Sequence, residues 1–159
     1  METFRKYALL FFVLFTICFS FLVAISICGY QSKIILTAAG LTLLLVFALT
    51  IFACNIINKL GKISPDLTGC GPYILVFSLI LLAFGIVSIF WRDPIVQLIY
   101  SCLAAVMMSI YLIFDTQLIL GNNQYSYTLD DSYLAAIQLY IDIIQLFLNL
   151  LRILSYVDR

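Results

Sequence analysis

Three stretches without one charged side chain, Tyr7 to Ser32, Ile34 to Asn58 and Leu67 to Trp91, constrain this chain more than any other feature. Each is long enough to cross the ~30 Å hydrocarbon layer of a bilayer as a helix. A soluble fold needs polar residues on one face of each surface helix or strand, and these stretches do not supply them. Composition agrees: 65% of the residues are hydrophobic and 10% charged, where an ordinary soluble domain runs near half apolar and a quarter charged. The expected fold class is all-α, a polytopic membrane helix bundle forming one membrane domain over residues 1–159. Its hydrophobic segments are Tyr7 to Gly29, Ile34 to Ile57, Tyr73 to Trp91, Ile95 to Leu120 and Tyr133 to Leu154. All three prolines, Pro65, Pro72 and Pro94, fall in the breaks between them. No break exceeds about 15 residues, which leaves no room for an extramembrane domain.

Charge narrows the partners. Eight Lys and Arg balance eight Asp and Glu, so no basic excess is present to hold nucleic acid. Histidine is absent, which removes the usual neutral-pH proton shuttle and the commonest metal ligand. The cysteines Cys18, Cys28, Cys54, Cys70 and Cys102 show no Cys-x-x-Cys spacing, and free thiols in lipid or helix interfaces are expected. Arg5 and Lys6 precede an apolar run too long for a typical cleaved signal peptide, so the first span reads as uncleaved.

Helix contacts and orientation leave weaker marks. Thr16, Ser20, Ala24 and Cys28 recur every fourth residue on the first span, and Ser78, Gly85 and Ser88 do much the same on the third; either set is a packing face or a scatter of small residues. Thr128 and Asp131 fit a capping box opening the last helix. With five full crossings, Arg5, Lys6, Lys59 and Lys62 face Lys33, Arg92, Arg152 and Arg159 across the membrane, an even split. If the last segment turns back, the count becomes six against two, and the positive-inside rule then favours a cytosolic N-terminus with an incompletely crossing final segment.

Two acidic residues lie inside apolar segments, Asp115 and Asp142. An Asp at a helix centre costs about 2.5 to 3.5 kcal/mol on insertion. The last segment adds Gln138, Gln145, Asn149 and Arg152, which with Asp142 follow at spacings of four and three residues and share one helix face. Such a face is expected inside the bundle or along a wet cavity. Asp115 lies ~9 Å before the break at Gly121 and Asp142 ~14 Å after Tyr133, so antiparallel neighbours with modest tilt can bring the carboxyls together. A pair in low dielectric would not stay doubly ionised, and one proton would be shared. The alternative is two separately protonated and hydrogen-bonded residues.

The run from Tyr111 to Leu154 strongly resembles the C-terminal signature of the lifeguard branch of the Bax-inhibitor-motif membrane proteins. Its elements are Phe114-Asp115-Thr116-Gln117-Leu118, Leu120-Gly121, Asp130-Asp131-Ser132-Tyr133, Ala135-Ala136 and Leu139 to Phe147. Weaker similarity extends upstream through Thr50 to Cys54 and Asp66 to Tyr73. The resemblance implies a helical bundle in endoplasmic reticulum, Golgi or related membranes, with the plasma membrane as a further location. It also implies passive calcium leak, protection from apoptosis, and a pH-sensing pair at Asp115 and Asp142. Family members resemble seven-helix proteins; this chain is expected to begin at the loop before the third, without the helix that carries an intramembrane Arg. The segment Asn55 to Pro65 is also unlike the family's usual connection.

The leading expectation is therefore a membrane protein that modulates intracellular calcium, not an enzyme. No resident cofactor is expected. Asp115 and Asp142, with Gln138, Gln145, Asn149 and water, would form a weak, transient Ca²⁺ site, because Ca²⁺ takes six to eight oxygen ligands. A rival is a non-conducting partner that forms homo-oligomers or associates with full-length relatives through small-residue faces. An intramembrane aspartyl protease also needs two membrane-embedded Asp. Such proteases carry Gly-x-Gly-Asp, whereas Leu112-Ile113-Phe114 precedes Asp115 and Leu139-Tyr140-Ile141 precedes Asp142.

Overall fold

The computed structural model describes residues 2–59, 71–91, 93–120 and 132–158. Among them are five helices: α1 (Glu2–Ile27), α2 (Ser32–Lys59), α3 (Gly71–Phe90), α4 (Pro94–Ile119) and α5 (Ser132–Val157). No strand occurs among the described residues. Each helix contains a span long and apolar enough to cross a membrane. The capping box at Thr128 and Asp131 lies outside the described residues.

Local chemistry sets the helix ends. Asp93 caps α4 with extended backbone, its Oδ1 accepting from Ile95 N at 2.9 Å, and Pro94 opens the first turn, where a missing N–H costs nothing. Between α1 and α2 the chain reverses tightly: Tyr30 N donates to Ile27 O at 2.9 Å, and Gln31 O accepts from Ile34 N and Ile35 N at 3.0 and 3.1 Å. Elsewhere, serines and threonines inside the helices turn back on their own backbone, as Thr42 does to Ala38 O at 2.7 Å. Such bonds satisfy a hydroxyl where no water is present.

At the centre, α4 and α5 pack most extensively, and α2 lies against both; α3 flanks α4, and α1 flanks α5. The inner face of α2 is built from small residues, with Ala38, Thr42 and Ala53 buried. Lipid tails are as apolar as a leucine side chain, so close backbone approach rather than hydrophobicity drives this packing. Small-residue spacing alone points to faces on α1 and α3 and does not single out this one on α2. On α3 two of the three expected residues, Gly85 and Ser88, pack inward, while Ser78 is half-buried and bonds its own helix at Leu75 O. Ser88 is buried, Gly85 lies directly against the Tyr100 ring, and Leu81 joins Ala104 and Met107 of α4 in a buried cluster.

On α1 the structure differs. Ser20, Ala24 and Cys28 are exposed, and the contacts with α5 are largely aromatic: Phe12 with Tyr133 at 6.4 Å between ring centroids and Phe19 with Tyr140 at 5.7 Å. Each step of four residues overshoots a full turn by roughly 40°, so the four small residues sweep about 120° around the helix and cannot all face α5; Ser20 keeps a contact there, its hydroxyl 3.3 Å from that of Tyr140.

The last segment does not turn back. α5 is one continuous helix, and its final turns meet the α1–α2 turn and the start of α4 around a common recess. Counting charges misses this because Arg152 reaches the bundle end without a reversal of the chain. Outer faces are apolar, with Phe11, Leu36, Phe47 and Phe90 exposed, while Asp115, Gln117, Asp142 and Asn149 are buried. Such an inside-out distribution suits a bilayer rather than water. The protein is a multi-pass membrane protein.

Candidate functional site

Asp115 enters from α4 near its C-terminal end, and Asp142 enters from the middle of α5. They are 3% and 4% exposed, and the two carboxyl groups lie within hydrogen-bonding reach of one another. A hydrogen bond between two carboxyls requires a proton on one of them. The pair therefore accounts for one oxygen of each group, while Oδ2 of Asp115 and Oδ2 of Asp142 are buried without a hydrogen-bond partner. The expected antiparallel pairing is realised.

Enclosure comes from the packing of α4. Asp115, Thr116 and Gln117 are all buried, and three consecutive residues span most of a helix circumference, so neighbours surround α4 at this level. Thr116 Oγ1 donates to Leu112 O at 2.6 Å. α2, packed against both helices, buries Ala38, Thr42 and Ala53, none of which carries charge. On α4 and α5 the only Lys or Arg is Arg152. It lies ten residues beyond Asp142, roughly 15 Å along the axis, and donates to Ser101 Oγ at 3.5 Å. It does not neutralise the pair.

The predicted polar face of α5 divides. Asp142 and Asn149 are buried, Gln145 is half-buried, and Gln138 and Arg152 are exposed. The buried side of α5 also includes Ala135 and Leu146. At about 100° per residue, Gln138, Gln145 and Arg152 fall on one flank of this side instead of its centre. Distances along the helix then sort the proposed Ca²⁺ ligands. Oxygens around one Ca²⁺ sit 2.3–2.6 Å from the ion. Asn149, seven residues from Asp142 or about 10 Å along the axis, is too far to share that shell, whereas Gln145 and Gln138 are one turn away. Asn149 Nδ2 donates instead to Gln145 O at 2.8 Å.

Ser101, absent from the residues expected at the site, is fully buried and receives the Arg152 contact. Its separation from Asp115, close to four helical turns, places both on one face of α4 and was a usable signal. The described residues contain no cluster of three or more acidic, Cys or His side chains suited to a resident metal. Cys18, Cys28, Cys54 and Cys102 are free thiols.

Bundle and site together define a class: a polytopic membrane protein with a carboxyl pair enclosed between its two central helices. Residues 2–159 match the family model Bax1-I, described as Inhibitor of apoptosis-promoting Bax1, and the chain belongs to that family. It is 35% identical over 141 residues to Protein LIFEGUARD 4 of Arabidopsis thaliana, covering 88% of this chain and 54% of that protein. Protein LIFEGUARD 1 of the same plant is 35% identical over 143 residues, covering 89% and 57%. Protein lifeguard 3 of Homo sapiens is 28% identical over 150 residues, covering 89% and 45%. The chain spans about half the length of the curated relatives it matches. The family is not known for enzymes.

Proposed function

We propose that this protein supports a slow, pH-sensitive passive leak of Ca²⁺ through the site at Asp115 and Asp142, in an endoplasmic reticulum or Golgi membrane, and thereby restrains apoptosis. One observation carries the reading: each aspartate holds a buried, unpartnered Oδ2 beside the other carboxyl. Such a pair suits a cargo cation better than a stored one, because two carboxyls with Gln145, Gln138 and water offer a weak shell. Ca²⁺ entering the site competes with the shared proton, so acidification weakens its occupancy. Protein reconstituted in vesicles with an enclosed Ca²⁺ dye tests this. A leak that depends on pH in the wild type and loses that dependence in Asp142→Asn supports the reading; an unchanged pH profile in the variant overturns it.

A second reading, a non-conducting partner of longer relatives, draws on the exposed Gln138 at the edge of α5. Polar groups facing lipid are costly, and a docking bundle would cover them. Crosslinking in membranes distinguishes the two: a monomer that leaks Ca²⁺ as fast as a full-length relative rejects the partner reading.

A further inference from the structure

A second polar feature lies where the α1–α2 turn, the first turns of α4 and the last turns of α5 converge. It is a recess of about 340 Å³ whose lining includes Tyr30, Gln97, Arg152, Ser155 and Tyr156. Three separate stretches of chain build it, so it is a product of the fold and not of one helix end.

Arg152 dominates the recess. Its guanidinium is always charged and carries five N–H donors in a fork that matches pairs of phosphate oxygens. Among the described residues it reaches only Ser101 Oγ, at 3.5 Å, the outer limit of hydrogen bonding. Among the described residues, no carboxylate lines the recess. Tyr30, Ser155, Tyr156 and Gln97 line the same recess, and each carries a neutral hydroxyl or amide donor. Depth matters as well. The recess sits at the ends of spanning helices, and tyrosines cluster where such ends meet lipid headgroups. A volume of about 340 Å³ falls at the small end of ligand sites, which begin near 300 Å³, and exceeds what a bare phosphate needs.

We propose that this recess binds a phosphate-bearing anion, with Arg152 as the charged anchor and Tyr30, Ser155 and Tyr156 completing the hydrogen-bonding shell. The same chemistry has two sources, the headgroup of an anionic phospholipid and a free phosphate, and the test separates them. The proposal does not rest on the leak reading.

Thermal unfolding of the full chain in neutral micelles is followed while short-chain phosphatidylglycerol, short-chain phosphatidylcholine or inorganic phosphate is added, since a ligand that binds only the folded state raises its midpoint. Phosphatidylglycerol is expected to stabilise the wild type, with at least ~10-fold weaker apparent binding in Arg152→Gln, partial retention in Arg152→Lys and a smaller loss in Ser155→Ala. Lys33→Gln removes a charge near the same end but outside the recess and should leave binding unchanged. Stabilisation by phosphatidylglycerol beyond phosphatidylcholine and inorganic phosphate identifies a lipid site. An equal effect of inorganic phosphate identifies a free-phosphate site and equally supports the proposal. If no probe stabilises the wild type, or if Lys33→Gln weakens binding as much as Arg152→Gln, the recess is not a phosphate site. Should Arg152→Gln fail to fold, unchanged binding in both Arg152→Lys and Ser155→Ala overturns the proposal in its place.

Discussion

A Cβ atom added at Gly85 would stand 3.0 Å from the Tyr100 hydroxyl and 3.1 Å from two ring carbons. Glycine at this position lets α3 approach the Tyr100 ring of α4 closely, and that ring stands edge-on to Phe84 at 6.0 Å between centroids. Gly85→Ala is therefore expected to destabilise the bundle by about 1 to 3 kcal/mol, the usual range for overpacking a tight contact. Tyr100→Leu in the same molecule should recover part of the loss. The coupling is read from thermal unfolding of the two single variants and the double; strictly additive effects would show that the contact does not limit the approach of α3.

Asp115 and Asp142 act as one titrating unit if they share a proton. Either Asp→Asn change should then remove the pH dependence of the Ca²⁺ leak, and the double variant should add little to either single one. Vesicle flux measured between mildly acidic and mildly alkaline pH checks this. Full additivity would mean two independent carboxyls.

Asp93 caps α4 through one hydrogen bond to Ile95 N, and its side chain is exposed. Asp93→Ala is expected to cost about 1 kcal/mol, while Asp93→Asn, which keeps an acceptor oxygen in place, should cost little. Unfolding in micelles distinguishes the two. Equal losses would assign the effect to charge instead of capping.

α1 is held to α5 by few contacts, among them the Ser20 and Tyr140 hydroxyls at 3.3 Å and the Phe19 and Tyr140 rings. Tyr140→Ala should loosen α1 while the α4–α5 pair keeps its order. Hydrogen exchange would show this as faster exchange in α1 with α4 and the C-terminal half of α5 unchanged. Uniform acceleration across all five helices would assign Tyr140 to the core instead.

Because α5 runs the full depth of the bundle, tags at the two ends of the chain should be reached from opposite sides of the membrane. Selective permeabilisation of the plasma membrane, with the protein in an internal membrane, decides the matter. Tags reached from one side would restore the incompletely crossing segment that the charge count favoured.

Much of the architecture was legible in the residue order because a membrane span is a local property. Twenty apolar residues must satisfy their backbone hydrogen bonds internally, and in lipid a helix does so without help from any other part of the chain. The five helices, the Pro94 start of α4 and the two costly aspartates could be read in this way. Lateral packing is not local. Which small residues become an interface depends on the neighbour across from them, and so Ala38, Thr42 and Ala53 on α2 are buried where Ala24 and Cys28 on α1 stay exposed. Helix periodicity placed Gln138, Asp142, Gln145, Asn149 and Arg152 on one face, but only the positions of α2 and α4 decided that Asp142 and Asn149 are enclosed while Gln138 and Arg152 stay open. Tertiary structure likewise brought Tyr30, Gln97 and Arg152 around one recess, since residues so distant in the chain meet only after the helices have packed.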